Sequence, residues 1–265
     1  MNFSARTGTH VARRRFGQNF LTASGIVGRI VEAIAPRQGE NMVEIGPGLG
    51  ALTQPLIERL GHLHVIEIDR DLIARLRERF TPECLTIHEG DALEFDFGAL
   101  CAEETSSLRV VGNLPYNIST PLLFHLAGFA PRLRDGHFML QKEVVMRMVA
   151  TPGTAEYGRL SVMLQYRFHM KRLFDVPPGA FRPAPKVTSS IVCMTPLPAG
   201  TYKAHDETRF ACIVAAAFAQ RRKTLKNALR DFFDGSALET LGFDPNLRGE
   251  RLSVADFVAI ANACQ

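Results

Sequence analysis

Asn113-Leu114-Pro115-Tyr116 closes a short apolar run, Val110-Val111-Gly112, and puts a polar amide, a proline and an aromatic ring into four residues. The amide oxygen of Asn113 and the carbonyl of Leu114 can accept the two hydrogens of a base amino group, whose lone pair is otherwise delocalised into the ring. Pro115 fixes φ and stiffens the turn, and Tyr116 can stack on a base drawn out of its helix or loop. A strand-to-turn junction with a buried tyrosine has the same local pattern.

A second set of residues could hold a small ligand. Gly46-Pro47-Gly48-Leu49-Gly50 lies between a strand-like and a helix-like stretch, and glycine lets backbone approach a ligand closely because it has no Cβ. The spacing Gly46-x-Gly48-x-x-Ala51 also fits a dinucleotide fingerprint, so a dehydrogenase stays open, as does a turn without a ligand. Glu67 follows at the end of the next strand, where a carboxylate can take both hydrogen bonds of a ribose diol. Asp69 is its rival, on the same side by alternation, and an acid at a strand end can also be merely solvated. Asp91, after the third strand, can accept from an adenine amino group or cap a turn. Three strand ends carrying glycine, Glu67 and Asp91 in that order favour a ligand crevice over three unrelated features.

The elements that must position these residues alternate. Strands are expected over residues 41–45, 63–68, 84–88, from 109, and over 136–140, 159–168 and 187–194. Helices are expected over 51–60, 71–80 and near 143–149. This is the pattern of a parallel sheet covered by helices. Thr195-Pro196-Leu197-Pro198-Ala199-Gly200 marks a composition shift. The expected division is residues 1–195 as one domain, 196–200 as a linker and 201–265 as a small helical domain. Its helices fall over 207–219, 222–233, 236–241 and 253–263, with Ser253 and Asp256 as a helix start.

Asn113-Leu114-Pro115-Tyr116 resembles the Asn/Asp-Pro-Pro-Tyr-type motif of methyltransferases that act on exocyclic base nitrogens. Phe16-Gly17-Gln18-Asn19-Phe20-Leu21, Val43-Glu44-Ile45-Gly46-Pro47-Gly48-Leu49-Gly50-Ala51-Leu52-Thr53, Asn113-Leu114-Pro115-Tyr116-Asn117-Ile118-Ser119, Gln141-Lys142-Glu143-Val144 and Phe181-Arg182-Pro183-Ala184-Pro185-Lys186-Val187 occur in the order seen in the rRNA adenine dimethyltransferases. The resemblance spans nearly the whole chain and is closest to the bacterial small-subunit branch, which dimethylates two adjacent adenines in a hairpin loop near the 3′ end of 16S rRNA. It implies an α/β, Rossmann-like, S-adenosylmethionine-dependent methyltransferase sheet with a small C-terminal all-helical domain. It further implies that Gln18, Asn19, Leu21, Gly46, Gly48, Glu67, Asp91 and Asn113 surround the donor, and that Phe181 faces Tyr116 across the target base, whereas without the resemblance Phe181 reads as a core phenylalanine. The implied partner is 16S rRNA within a precursor of the 30S subunit. The large-subunit rRNA methyltransferases of macrolide resistance, and a non-catalytic relative used as a mitochondrial transcription factor, are the alternatives within reach of the same motifs.

Composition sets the remaining bounds. The 265 residues, 46% of them hydrophobic, suffice for a large domain and a small one, each with a core. No apolar run approaches the roughly 20 residues needed to cross a bilayer. Five scattered cysteines with no Cys/His cluster argue against disulfides and zinc, and a monomer in a reducing cytoplasm, with no metal, is expected. Net charge is only +4, so its distribution matters more than its sum. Arg13, Arg14 and Arg15 belong to an acid-free first stretch, read as a basic arm rather than a transit peptide. Arg221, Arg222, Lys223, Lys226 and Arg230 form a second cluster. Both are candidates for RNA phosphates. On a helix, Arg222, Lys226 and Arg230 would share a face, which could equally be a solvated one.

Overall fold

The computed structural model describes residues 18–101, 108–220 and 222–264. Arg13, Arg14, Arg15 and Arg221 therefore lie outside the described residues. Along the chain run β1 (Phe20–Leu21), α1 (Ser24–Ile34), β2 (Met42–Ile45), α2 (Thr53–Leu60), β3 (Leu63–Glu67), α3 (Arg70–Arg79), β4 (Leu85–Glu89), β5 (Leu108–Asn113) and α4 (Ser119–Gly128). There follow β6 (Leu133–Gln141), α5 (Lys142–Met148), α6 (Arg159–Gln165), β7 (Phe168–Val176), β8 (Phe181–Arg182), β9 (Ser189–Pro196), α7 (Glu207–Ala219), α8 (Leu225–Ala228), α9 (Gly235–Thr240) and α10 (Val254–Ala263).

The main sheet has the order β4-β3-β2-β5-β6-β9-β7. β2 to β6 are parallel, while β9 runs antiparallel to both β6 and β7. Strand order reverses beside β2: β3 and β4 build outward on one side, and β5 returns on the other, with Ile45 opposite Gly112. Loops that leave the two strands at this reversal must diverge, and the gap between them is where open α/β sheets bind ligands.

Side-chain alternation gives each face its own core. Val43, Val110, Phe138 and Val192 point to one side, against Leu122 and Leu126 of α4, Val145 of α5 and Leu160 of α6. Met42, Val65, Val111, Met139 and Ile191 point to the other, against Ile30 of α1, Leu56 of α2 and Leu76 of α3. Each fully buried side chain of this size contributes about 1.5–3 kcal/mol over an exposed one. A third cluster joins Phe210, Ile213, Leu225, Leu229 and Phe257 of the helical part to Tyr157, Val162 and Tyr166.

Two expectations are corrected. Residues 159–168 are not a strand; they form α6 before β7 begins at Phe168. Leu160 and Leu164 enter the sheet core while Val162 and Tyr166 enter the helical cluster, so the segment is apolar all round and its periodicity could not separate helix from strand. The expected helix over 222–233 shrinks to Leu225–Ala228. Its Leu225 and Lys226 amides donate to the carbonyls of Leu247 and Pro245, which anchors the segment to another loop. By contrast α10 starts as expected, with Ser253 Oγ accepting from Asp256 N and Asp256 accepting from Ser253 N.

At the end of the sheet away from the strand-order crevice, Arg109 is buried with 4% of its side chain exposed. Its guanidinium meets Glu40 at 2.6 Å and Asp135 at 3.0 Å, and donates to the Ile34 carbonyl at the end of α1. Removing a buried cation from two carboxylates leaves them uncompensated. Arg109→Met is therefore expected to lose about 3 kcal/mol in urea unfolding while leaving donor affinity unchanged, since none of these groups lines the cleft.

Candidate active site

The glycine loop leaves β2 in a path that only small residues allow. Gly46 and Gly48 have φ of +65° and +59°, in the left-handed region that strains any residue with a Cβ. Gly46 N donates to Ile66 O at 2.9 Å, which fastens the loop to β3. At the end of β3, Glu67 Oε1 accepts from the backbone of Ile68 and Asp69, both at 2.9 Å, and Gly48 N approaches Oε2 at 3.4 Å. The carboxylate is thereby held in one orientation on the cleft wall.

The rivalry between Glu67 and Asp69 is decided by partners. Asp69 is 1% exposed; its Oδ1 caps Asp71 N at the start of α3 and its Oδ2 accepts from Gln18 Nε2 at 3.0 Å. It anchors Gln18, leaving Glu67 as the acid that faces the cavity. Asp91 caps a turn, its Oδ1 accepting from Leu93 N at 2.9 Å, and the residue also lines the cavity.

Asn113 ends β5 across from the glycines. Its Nδ2 donates to Asn19 O at 2.9 Å, which directs Oδ1 the other way. Asn19 is carried there by β1, a strap paired antiparallel to β8 with Leu21 opposite Phe181. Leu114 turns its side chain into the sheet core, so its backbone alone remains for the cavity. Pro115 O accepts from Ile118 N, closing the turn that presents Tyr116. The phenol of Tyr116 lies 2.6 Å from Ser189 Oγ on β9; burial raises its pKa and the serine partly offsets this.

Gln18, Asn19, Leu21, Gly46, Gly48, Glu67, Asp91, Asn113, Leu114, Pro115 and Tyr116 all border one cavity of about 260 Å³. Phe181 does not. It has no exposed surface and packs with Leu21, Val176 and Ile191, so the expected pairing with Tyr116 across a base is not formed. Pairing of β8 with β1 turns the ring into the core. Sequence reasoning missed Phe20, whose ring lies at the cavity and 3.1 Å from the point that a Cβ on Gly48 would occupy. It also missed the Ser189 anchor, for which no local pattern existed. Arg222, Lys223, Lys226 and Arg230 do not line this cavity; Arg222, Lys226 and Arg230 are exposed and do not form one helical face, because only Leu225–Ala228 is helical.

The electrostatics discriminate between ligands. Glu44, Glu67 and Asp91 line the cavity and no lysine or arginine does, among the described residues. A dinucleotide would bring an anionic pyrophosphate against these acids; a cationic donor brings the matching sign. Burial pushes Glu44 up to about 7, with Thr53 Oγ1, at 2.6 Å, opposing the shift and Glu67 adding to it.

A family model for ribosomal RNA adenine dimethylase matches residues 9–265. The chain belongs to that family. A ribosomal RNA small subunit methyltransferase A from Aromatoleum aromaticum is 71% identical to it over 253 residues, covering 96% of this chain and 94% of that protein. Its counterpart from Thiobacillus denitrificans is 63% identical over 251 residues, covering 95% and 97%. A dimethyladenosine transferase from Plasmodium falciparum has the same fold, with a TM-score of 0.78 at 25% identity over 91% of this chain and 95% of that one. The sheet is thus the Rossmann-like sheet of S-adenosylmethionine-dependent methyltransferases. The residues present fit that donor: acids for its cationic portion, Glu67 for a ribose diol and Asp91 for an adenine amino group.

Glu44 makes stability depend on pH. Its folded pKa lies above the unfolded 4.5, so its contribution is complete below pH 4.5 and is lost as pH rises toward about 7. Glu44→Gln, neutral throughout, is expected to abolish this decline and, at pH 8, to raise the stability of the donor-free protein by about 3 kcal/mol. Thermal melts across pH 4–8 measure it; an unchanged pH profile contradicts the assignment.

Proposed function

We propose that this chain transfers methyl groups from S-adenosylmethionine to N6 of two adjacent adenines in the 3′-terminal hairpin loop of 16S rRNA, giving N6,N6-dimethyladenosines. The observation that carries the reading is Asn113, fixed by the Asn19 carbonyl at the mouth of an acid-lined cavity, with the Tyr116 ring anchored beside it. The high identity to small subunit methyltransferases over nearly the full length favours 16S over 23S rRNA. The same identity, with donor and acceptor residues all present, argues against a purely non-catalytic role.

S-adenosylmethionine supplies a methyl group on a sulfonium, a leaving group that needs neither a metal nor a covalent enzyme intermediate. The chain's part is positioning and electrostatic support. Asn113 Oδ1 and the Leu114 carbonyl accept the two amino hydrogens of adenine, which favours a more tetrahedral nitrogen and frees its lone pair. Tyr116 stacks on the extruded base, and its bond to Ser189 sets the plane of the ring. The methylated nitrogen is cationic and releases one proton to water; a single N–H then remains, so one acceptor suffices and the other side must admit a methyl group. The phosphates of the RNA are gripped by the N-terminal arm and by Arg222, Lys223, Lys226 and Arg230 of the helical domain, residues 201–265. The working form is a cytoplasmic monomer, and the substrate is a partly assembled small subunit.

The test is transfer of labelled methyl to small-subunit particles lacking the modification, with mapping of the labelled nucleotides. Label on two adjacent adenines of the 3′ hairpin is expected; no label there, with label on 23S rRNA when large-subunit particles are offered in a parallel reaction, would favour the macrolide-resistance type. Asn113→Ala should lower turnover by about 100-fold or more with donor affinity little changed, and near-normal turnover would remove Asn113 from its role. Replacing Arg222 and Lys226 together by alanine should lower the slope of log affinity against log salt by about 1.4–1.8. An unchanged slope in a filter-binding titration would mean that both are merely solvated.

A further inference from the structure

The β6-β9-β7 side of the sheet holds a nucleophile that methyl transfer does not use. Cys193 on β9 lies directly opposite His137 on β6 and, on its other side, directly opposite Lys171 on β7. Opposed residues of antiparallel strands share a face, with Cβ atoms about 4.5–5.5 Å apart. The imidazole of His137 therefore lies beside the thiol, and Lys171 shares the same face. His137 is 7% exposed, and its Nδ1, 3.6 Å from Asp135 Oδ1, makes no hydrogen bond. The two interact as charges. Asp135 is itself fixed by Arg109.

These groups favour a charge-separated pair. Burial pushes the His137 pKa down, but Asp135 and Cys193 outweigh it and hold it at about 9. Burial pushes the Cys193 thiol up, and His137 outweighs that, leaving it lowered. Cys101, without such a partner, is raised by burial. The other charged or titratable groups near the pair are Arg109 from β5, Arg134 from β6, His169 from β7 and Glu40 before β2. Arg109, Arg134 and Glu40 already pair with one another or with Asp135. Access is open, since Cys193 is half-buried and its neighbours His169, Lys171 and Thr195 are exposed.

We propose that Cys193 is a preactivated thiolate, held by His137, and the site at which this chain forms a mixed disulfide with small aliphatic disulfides. Cys193 Sγ attacks one sulfur of the disulfide and an S–S bond forms there; the original S–S bond breaks, and the second sulfur leaves as a thiolate that takes its proton from water. The small disulfide is the oxidant, and no other reactant is needed.

The test uses the full chain and limiting iodoacetamide at pH 6.5, with adducts on each of the five cysteines quantified by peptide mass. Cys193 is expected to react about 10-fold faster than the exposed Cys212, with a rate midpoint below the ordinary ~8.5. Glutathione disulfide should add one tripeptide at Cys193, removable by a dithiol. His137→Gln should bring the midpoint back to the ordinary range. Should His137→Gln fail to fold, the pH profile of the unaltered chain decides alone. Labelling of Cys193 no faster than Cys212, or a midpoint at or above ~8.5, overturns the proposal.

Discussion

Parallel pairing of β2 with β5 is the constraint on which the site depends. It seats Ile45 opposite Gly112, so that one strand delivers the glycine loop and the other delivers Asn113 at the same edge of the sheet. Any other neighbour for β5 would separate donor and acceptor by at least a strand's width, about 4.8 Å. The pairing is enforced from both faces, because Val43 and Val110 share one core while Met42 and Val111 share the other. A slip of one residue would exchange the two sets. At the far end, the Arg109 cluster ties β5, β6 and α1 together.

Around that pairing, orientation comes from hydrogen bonds that consume one end of each functional group and leave the other for a ligand. Asn113 spends its amide nitrogen on Asn19, Glu67 spends Oε1 on two backbone amides, Asp91 spends Oδ1 on Leu93, and Tyr116 spends its hydroxyl on Ser189. The consequence is a preorganised wall: little reorientation is left for the moment of reaction, which is where positioning contributes to rate. The same economy separates charge. Acids gather where a cationic donor fits, and no described lysine or arginine lines the cavity.

The glycine loop, Glu67, Asp91 and Asn113-Leu114-Pro115-Tyr116 were legible in the chain because each sits at a strand end, where a short-range pattern and a chemical role coincide. The opening strands of the sheet and the capped start of α10 were legible for the same reason. The segment over 159–168 was not, since two different cores claim its two sides. Nor was the brevity of α8, which depends on backbone donors captured by residues 245 and 247.

The sequence by itself determined the class of sheet, the donor and acceptor motifs and the helical tail, because hydrophobic period, glycine and proline act over a few neighbouring residues. Tertiary structure decided which of Glu67 and Asp69 faces the cavity, that Phe181 belongs to the core while Phe20 borders the ligand space, and that Asn19 and Ser189 aim the catalytic loop. The hydrogen bonds that engage Asp69, Tyr116 and Asn113 join residues 51 to 94 positions apart, and the β1–β8 pairing that seats Phe181 joins segments still further apart. No local pattern encodes them, and only strand pairing brings the groups within hydrogen-bond reach.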